Sequence, residues 1–163
     1  MKQLVIIAHD IRSSHNIGSI LRTGAGFNIH HIYLTGYSPY PSQKDDKRLK
    51  HLADRIDRRI KKTSLGAEGM IGWSHWEDVA SLIKKLKDEG YLIAALEQTK
   101  AARDIRFFKP EDKLALVLGS EIGGVGQPLL NQCDIHLKIP MPGQKDSFNV
   151  AVSAAIAIYQ LSA

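Results

Sequence analysis

The chain has 163 residues, of which 44% are hydrophobic and 24% charged, and its net charge is +5. This length fits one domain with a substantial core, so we predict a single domain over residues 1–163. The single Cys133 excludes an internal disulfide, and no Cys/His cluster has zinc-site spacing. No apolar run reaches the roughly 18 residues of a membrane helix, and the apolar start is too short for a signal peptide. We therefore expect a cytoplasmic protein that binds neither a membrane nor a metal.

Short apolar runs rich in Val, Ile and Leu predict the strands of a mostly parallel sheet flanked by helices. These runs cover residues 4–8, 31–34, 91–96, 114–118 and 135–139. A helix is expected over residues 17–25 with Asn16 as its N-cap. A second helix is expected over residues 76–89, with Ser74 and Glu77 forming a capping box. The order of the elements predicts the α/β class.

The final segment, residues 150–161, predicts a buried helix, because Ser153, Tyr159 and Gln160 carry its only polar side chains. Ser147 and Asn149 precede it. The start of a helix has unpaired N–H groups and the positive end of the helix dipole, which can hold a polar ligand. Ser and Asn are also ordinary N-caps, so this feature alone leaves both interpretations open.

Positive charge is concentrated between residues 44 and 62. The cations there are Lys44, Lys47, Arg48, Lys50, Arg55, Arg58, Arg59, Lys61 and Lys62, opposed by four Asp residues. Such a segment can follow a phosphate backbone. A solvated helix with Asp and Arg at mixed spacings is the alternative.

Three clusters of glycine and polar residues stand beside the predicted strands. Residues 16–24 include Arg22, whose guanidinium matches a phosphate or a carboxylate, although a surface arginine is the simpler interpretation. Residues 119–128 follow a strand and are rich in glycine, which lets a backbone approach a ligand, yet they lack the dinucleotide and P-loop spacings. Residues 139–149 combine turning prolines with apolar side chains that suit a flat base, or form an ordinary loop.

Taken in this order, the three clusters resemble the three motifs of the SpoU/TrmH family of RNA ribose methyltransferases, in the SPOUT superfamily. The matching residues are Asn16, Gly18, Arg22, Gly119, Glu121, Gly124, Ser147 and Asn149. The resemblance runs from Val5 to Leu161. It implies the SPOUT fold, in which a mostly parallel sheet flanked by helices ends in a deep C-terminal trefoil knot. It also implies a homodimer with the active site beside the subunit interface.

The resemblance further implies an S-adenosyl-L-methionine-dependent enzyme that methylates a ribose 2′-hydroxyl of RNA. We expect tRNA rather than rRNA, because the available footprint is small and no separate RNA-binding extension is expected. The implied catalytic residues are Asn16, Arg22, Glu121, Ser147 and Asn149, with Glu121 positioning Arg22. The implied cofactor-binding residues are Leu96, Gly119, Ile139, Met141, Ser147 and Phe148. The alternatives are a non-catalytic RNA-binding protein of the same fold and an enzyme that acts on a small adenosine compound.

Overall fold

The computed structural model describes residues 2–110 and 112–162. Within them the strands are β1 (Gln3–His9), β2 (His31–Thr35), β3 (Trp73–Trp76), β4 (Leu92–Leu96), β5 (Arg103–Asp104), β6 (Lys113–Leu118) and β7 (Ile135–Lys138). The α-helices in the same residues are α1 (Ser14–Gly26), α2 (Lys50–Ser64), α3 (Val79–Asp88), α4 (Gln127–Leu130) and α5 (Val150–Leu161), and short 3-10 helices cover Ala67–Gly69 and Ile105–Phe107. In this part of the chain the strands form one sheet in the order β3-β2-β1-β6-β4-β7-β5, and every strand pair is parallel.

Helices cover both faces of the sheet. Side chains of β1 alternate, so that Leu4 and Ile6 join the apolar cluster under α1, α2 and α5. Val5 and Ile7 face the opposite cluster, under α3 and α4. Strands buried on both faces are apolar throughout, which is why the sequence pattern identified them. The predicted α/β class is confirmed.

The edge strands β3 and β5 were missed by the sequence prediction. Strand β3 consists of half-buried aromatic and polar residues, and β5 has two residues, so neither forms an apolar run. The predicted start of the second helix was wrong. Helix α3 begins at Val79, after Asp78, whose carboxylate accepts hydrogen bonds from the N–H groups of Ala80 and Ser81. The predicted capping residue Ser74 lies instead in β3.

The predicted N-cap of the first helix was also wrong. Helix α1 begins at Ser14, and Ser13 is its N-cap, because the Ser13 hydroxyl accepts a hydrogen bond from the Asn16 N–H. Asn16 therefore lies in the first turn of the helix. Its side chain remains available for contacts outside α1, which become important at the candidate site.

Helix α5 is buried on one side and exposed on the other. Ala154, Ala157, Ile158 and Leu161 are buried, whereas Val152, Ile156 and Tyr159 are 48%, 36% and 69% exposed. The prediction that this apolar helix is buried all round was therefore wrong for a single chain. No helix in the described residues is long and apolar enough to span a membrane.

Strand β7 lies between β4 and β5, although β4 and β5 are close together in sequence. The connection from β4 to β5 is bonded to the end of β7. The Glu97 N–H donates to the Leu137 carbonyl at 2.9 Å, and Gln98 Nε2 donates to the Ile139 carbonyl at 2.8 Å. A late strand thus runs against an earlier connection, which is compatible with a knotted chain, and the trefoil knot itself stays a prediction.

Candidate active site

The neighbouring strands β6, β4 and β7 end at the same edge of the sheet, where open parallel sheets bind ligands. The segments that follow these strands, together with the start of α5, line a cavity of about 480 Å³. This volume is in the range of small-molecule sites. The lining includes all the predicted cofactor-binding residues, namely Leu96, Gly119, Ile139, Met141, Ser147 and Phe148. Glu121 and Asn149 also line the cavity.

The glycine-rich loop after β6 folds back on itself at the cavity wall. Ser120 and Gly124 exchange backbone hydrogen bonds of 3.1 and 2.9 Å. A methyl group added at Gly119 would lie 2.0 Å from the carbonyl carbon of Gly124, and Gly124 has a φ of +58°. Both positions therefore require glycine, one for the close approach and the other for its left-handed conformation.

Glu97 supports this loop, and the sequence analysis missed it. Its Oε2 accepts a hydrogen bond of 2.8 Å from the Val125 N–H, and its Oε1 accepts one of 2.9 Å from the Gln98 N–H. A methyl group on Gly124 would lie 2.2 Å from Glu97 Oε2. The sequence signal was available, because Glu97 is the first charged residue after the apolar run of β4.

Hydrogen bonds join Glu121 to Asn16 and Asn16 to Asn149, so that one residue from each of the three clusters takes part. The Oε2 of Glu121 accepts a hydrogen bond of 2.9 Å from the Arg12 N–H. Its Oε1 accepts one of 3.1 Å from the Ser13 N–H and one of 2.9 Å from the Asn16 side-chain amide. The Asn149 amide donates in turn to Asn16 Oδ1 at 3.2 Å, while Asn149 Oδ1 caps α5 by accepting from the Ala151 N–H. Asn16 therefore links Glu121 to Asn149.

These contacts keep Glu121 charged. Burial by itself raises the pKa of its carboxyl group, but the hydrogen bonds from the Arg12 N–H, the Asn16 amide and the Ser13 N–H outweigh that effect and lower the pKa below its ordinary value. The carboxylate also lies at the N-terminus of α1, where the helix dipole favours negative charge. The ionised form of Glu121 thus fixes the orientation of the Asn16 amide.

Arg22 does not join this network. It is exposed on α1, and nothing in the described residues forms a hydrogen bond or an ion pair with its guanidinium. Arg22 lies six residues beyond Asn16, a rise of about 9 Å along the helix. The predicted contact between Glu121 and Arg22 is therefore wrong, because the start of α1 occupies the carboxylate. The Arg22 fork faces solvent and is free to bind an anion.

The charged residues that line the cavity are mainly acidic. The lining contains three carboxylates, those of Glu97, Glu121 and Asp146, and one cation, Lys138. The Ser147 hydroxyl donates a long hydrogen bond of 3.4 Å to Asp146. In the described residues no group of three or more His, Cys, Asp or Glu side chains is arranged to hold a metal ion. Such a cavity favours a ligand with positive charge over a triphosphate, because like charges repel strongly at short distance.

The chain is similar in sequence to known proteins. A protein of Staphylococcus epidermidis assigned to the TrmH family of tRNA/rRNA methyltransferases is 29% identical over 157 residues, which cover 96% of this chain and 57% of the relative. The chain thus spans little more than half the length of that relative.

Solved structures share the fold. The S-adenosylmethionine-bound rRNA methyltransferase of Sinorhizobium meliloti superposes with a TM-score of 0.80 at 19% identity, over 97% of this chain and 55% of that one. A chain from a study of 2-OH methylation of C/U34 on tRNA gives a TM-score of 0.79 at 19% identity, over 98% of this chain and 93% of that one.

A sequence profile of the SpoU rRNA Methylase family matches residues 3–159. This range includes every strand and nearly the whole of α5, and it contains the network around Glu121. The chain belongs to the SpoU rRNA Methylase family.

Proposed function

We propose that this chain transfers a methyl group from S-adenosyl-L-methionine to a ribose 2′-hydroxyl of RNA, with tRNA as the favoured substrate. The observation that carries the proposal is the hydrogen-bonded connection of Asn16, Glu121 and Asn149 beside the cavity. Residues from three separate clusters thus meet at one polar site next to a space for a small molecule. We further propose that residues 1–163 act as one methyltransferase domain.

The residues of the cavity fit S-adenosylmethionine. Leu96, Ile139, Met141 and Phe148 supply apolar surface for a flat base, and Phe148 is 45% exposed. The glycine loop at Gly119 brings backbone groups to the wall. The three carboxylates of the lining favour the positive charge of a sulfonium over a polyphosphate. When bound, the cofactor supplies an activated methyl group, so no metal is needed for the transfer.

The side chains around the cavity have distinct parts in the reaction. The ribose hydroxyl must lose its proton as its oxygen becomes a methyl ether. Free arginine has a pKa above about 12, so Arg22 is poorly suited to act as a general base. Arg22 instead binds the phosphate next to the target ribose and stabilises negative charge on the ribose oxygen. It accepts the hydroxyl proton only transiently and passes it to the solvent to which it is exposed. Asn16, held by Glu121, orients the ribose, and Ser147 and Asn149 shape the transfer site.

A homodimer is part of the proposal. Val152, Ile156 and Tyr159 form an exposed apolar stripe along α5, because they are spaced four and three residues apart. Phe27, the C-cap residue of α1, extends the stripe, with its ring centroid 6.0 Å from that of Tyr159. A contiguous apolar patch of this kind marks an interface, and a second copy of the chain would bury it with its own equal patch.

The first experiment is calorimetric titration of the folded protein with S-adenosylmethionine and with its demethylated product, with adenosine triphosphate as the control. We expect selective binding close to one site per chain. Transfer of labelled methyl groups to unmodified tRNA or rRNA, followed by digestion to nucleosides, then identifies the acceptor and the modified position. RNA binding without cofactor binding would replace the enzyme by the non-catalytic alternative, and cofactor turnover without RNA would indicate a small-molecule enzyme.

Arg22→Lys tests the role given to the guanidinium. A lysine keeps the charge but loses the fork that binds phosphate through two parallel hydrogen bonds. We expect methyl transfer to fall about tenfold or more, with unchanged affinity for S-adenosylmethionine. Near-full turnover by this variant would contradict a bidentate contact between the Arg22 guanidinium and the phosphate.

A further inference from the structure

We propose that the RNA lies along one exposed face of α2, formed by Arg55, Arg58, Arg59 and Lys62 and called the basic face below. The inference rests on the proposed function and names the surface that captures its substrate. Ala53, Asp57, Ile60 and Ser64 occupy the buried side of α2. Arg55, Arg58 and Lys62 are spaced three and four residues apart on the exposed side, with Arg59 beside them.

The cations of the basic face differ from Lys50 and Lys61 of the same helix in having no acidic partner among the described residues. Among the described residues no ion pair involves any of the four. Three other cations in the same stretch are neutralised locally, whereas Lys44 and Lys47, which lie before α2, have no ion pair among the described residues. Arg48 pairs with Asp46 at 2.5 Å, Lys50 with Asp54 at 3.0 Å and Lys61 with Asp57 at 2.6 Å. The Asp residues that accompany this basic segment therefore leave one face uncompensated.

The opposite side of the sheet provides a contrast within the same molecule. The lysines of α3 are paired, with Lys84 lying 3.7 Å from Asp88, Lys85 2.5 Å from Glu89 and Lys87 2.8 Å from Asp134. The overall charge of +5 is thus not spread evenly over the surface. A polyanion approaching the molecule is drawn to the side that carries α1 and α2.

The basic face leads toward the candidate active site. Helix α2 crosses α1 at Gly18, where a methyl group would lie 2.1 Å from Thr63 Oγ1. The Thr63 hydroxyl donates a hydrogen bond of 2.8 Å to the His15 carbonyl, so the end of α2 meets the start of α1. The next residue, Asn16, is bonded to Glu121. From Arg55 to Lys62 the face rises by about 10 Å, enough for consecutive phosphates of one strand.

The chemistry of the face favours a nucleic acid over a membrane or an acidic protein. Three of its four cations are arginines, which bind phosphate through a planar fork. A helix that lies on a membrane needs an exposed apolar side, but the buried residues of α2 face the protein, with Ile60 in the core. The RNA substrate of the proposed reaction has a phosphate backbone, so the same ligand can bind the basic face and reach the candidate active site.

The test measures binding of fluorescein-labelled tRNA transcript by Arg55→Gln/Arg58→Gln at several salt concentrations. Each lost phosphate contact reduces the slope of log affinity against log salt by roughly 0.7 to 0.9, so we expect a slope smaller by about 1.6. At low salt the affinity should fall about tenfold or more. The matched control is Lys84→Gln/Lys87→Gln on α3, which should leave the slope unchanged.

An unchanged slope in the α2 variant, or an equal loss in the α3 control, would overturn the inference. Displacement of the labelled tRNA by polyglutamate as readily as by unlabelled tRNA would reduce the face to a general polyanion surface and would also overturn it. If circular dichroism shows that the first variant is unfolded, Arg59→Gln/Lys62→Gln replaces it. Titration of each variant with S-adenosylmethionine separates this inference from the proposed function, because no residue of the basic face lines the cavity.

Discussion

The contact between α1 and α2 at Gly18 offers a stringent test of the structure. Gly18 is buried, and a methyl group placed on it would lie 2.1 Å from Thr63 Oγ1 and 2.3 Å from the Ile60 carbonyl oxygen. Ordinary contacts of this kind begin near 3.4 Å. The Ile60 oxygen belongs to the backbone and cannot rotate away. Gly18→Ala must therefore push the two helices apart.

The size of the effect follows from two opposing contributions. Alanine favours a helix over glycine by about 1 kcal/mol, which would stabilise α1. Overpacking of a close contact costs about 1 to 3 kcal/mol or more, and loss of the hydrogen bond from Thr63 to His15 costs about another 1 kcal/mol. We expect the free energy of unfolding to fall by about 1 to 3 kcal/mol in total. For a chain of this length, each kcal/mol lowers the melting temperature by about 2 to 4 °C.

Urea unfolding followed by circular dichroism measures this difference directly. Gly26→Ala is the matched control, because Gly26 also lies in α1 but has no atom within 4 Å of an added methyl group. We expect this control to leave the stability unchanged or to raise it by up to about 1 kcal/mol. Equal stability of the two variants would show that the helices are not in close contact at Gly18, and would remove the link between the basic face and the start of α1.

Three further substitutions test other contacts. Glu97→Gln should weaken S-adenosylmethionine binding measured by calorimetry, and should speed amide exchange at Val125 even without ligand; unchanged exchange would contradict the support of the glycine loop. Glu121→Gln should destabilise the protein by about 1 kcal/mol at neutral pH. Because folding lowers the Glu121 pKa, the carboxylate stabilises the protein above the unfolded value near 4.5, and the gap to the variant should close as the pH falls through the lower folded pKa. Asp78→Ala removes the N-cap of α3, which should lower the free energy of unfolding by about 1 kcal/mol and with it the melting temperature. An unchanged melting temperature would contradict this cap.

Sequence patterns identified the interior strands and the final helix, because both signals are local. Strands buried on two faces must be apolar throughout, and the apolar run of α5 begins directly after Asn149, which caps it. The same reasoning failed for β3 and for the start of α3. Trp73 to Trp76 has no apolar run, and a plausible capping box at Ser74 competed with the cap that Asp78 provides.

The sequence also supplied the candidate site residues, through three clusters whose order resembles the motifs of one family. It did not determine how they meet. Glu121 binds the start of α1 and not Arg22, because Arg12, Ser13 and Asn16 come together at the start of that helix and occupy both carboxylate oxygens. Such contacts join residues more than a hundred positions apart, so no local pattern encodes them.

The sequence by itself determined that the chain is basic and that residues 44–62 hold much of the positive charge. Tertiary structure decided which of those charges remain free. Lys61 and Arg58 lie in the same helix, yet Lys61 pairs with Asp57 at 2.6 Å while Arg58 points to the uncompensated face. Likewise, α5 is apolar by sequence, but its packing against α1 and the sheet decides that Tyr159 stays exposed. The physical reason is the same for both helices: sequence sets what each side chain can do, and packing sets which face it occupies.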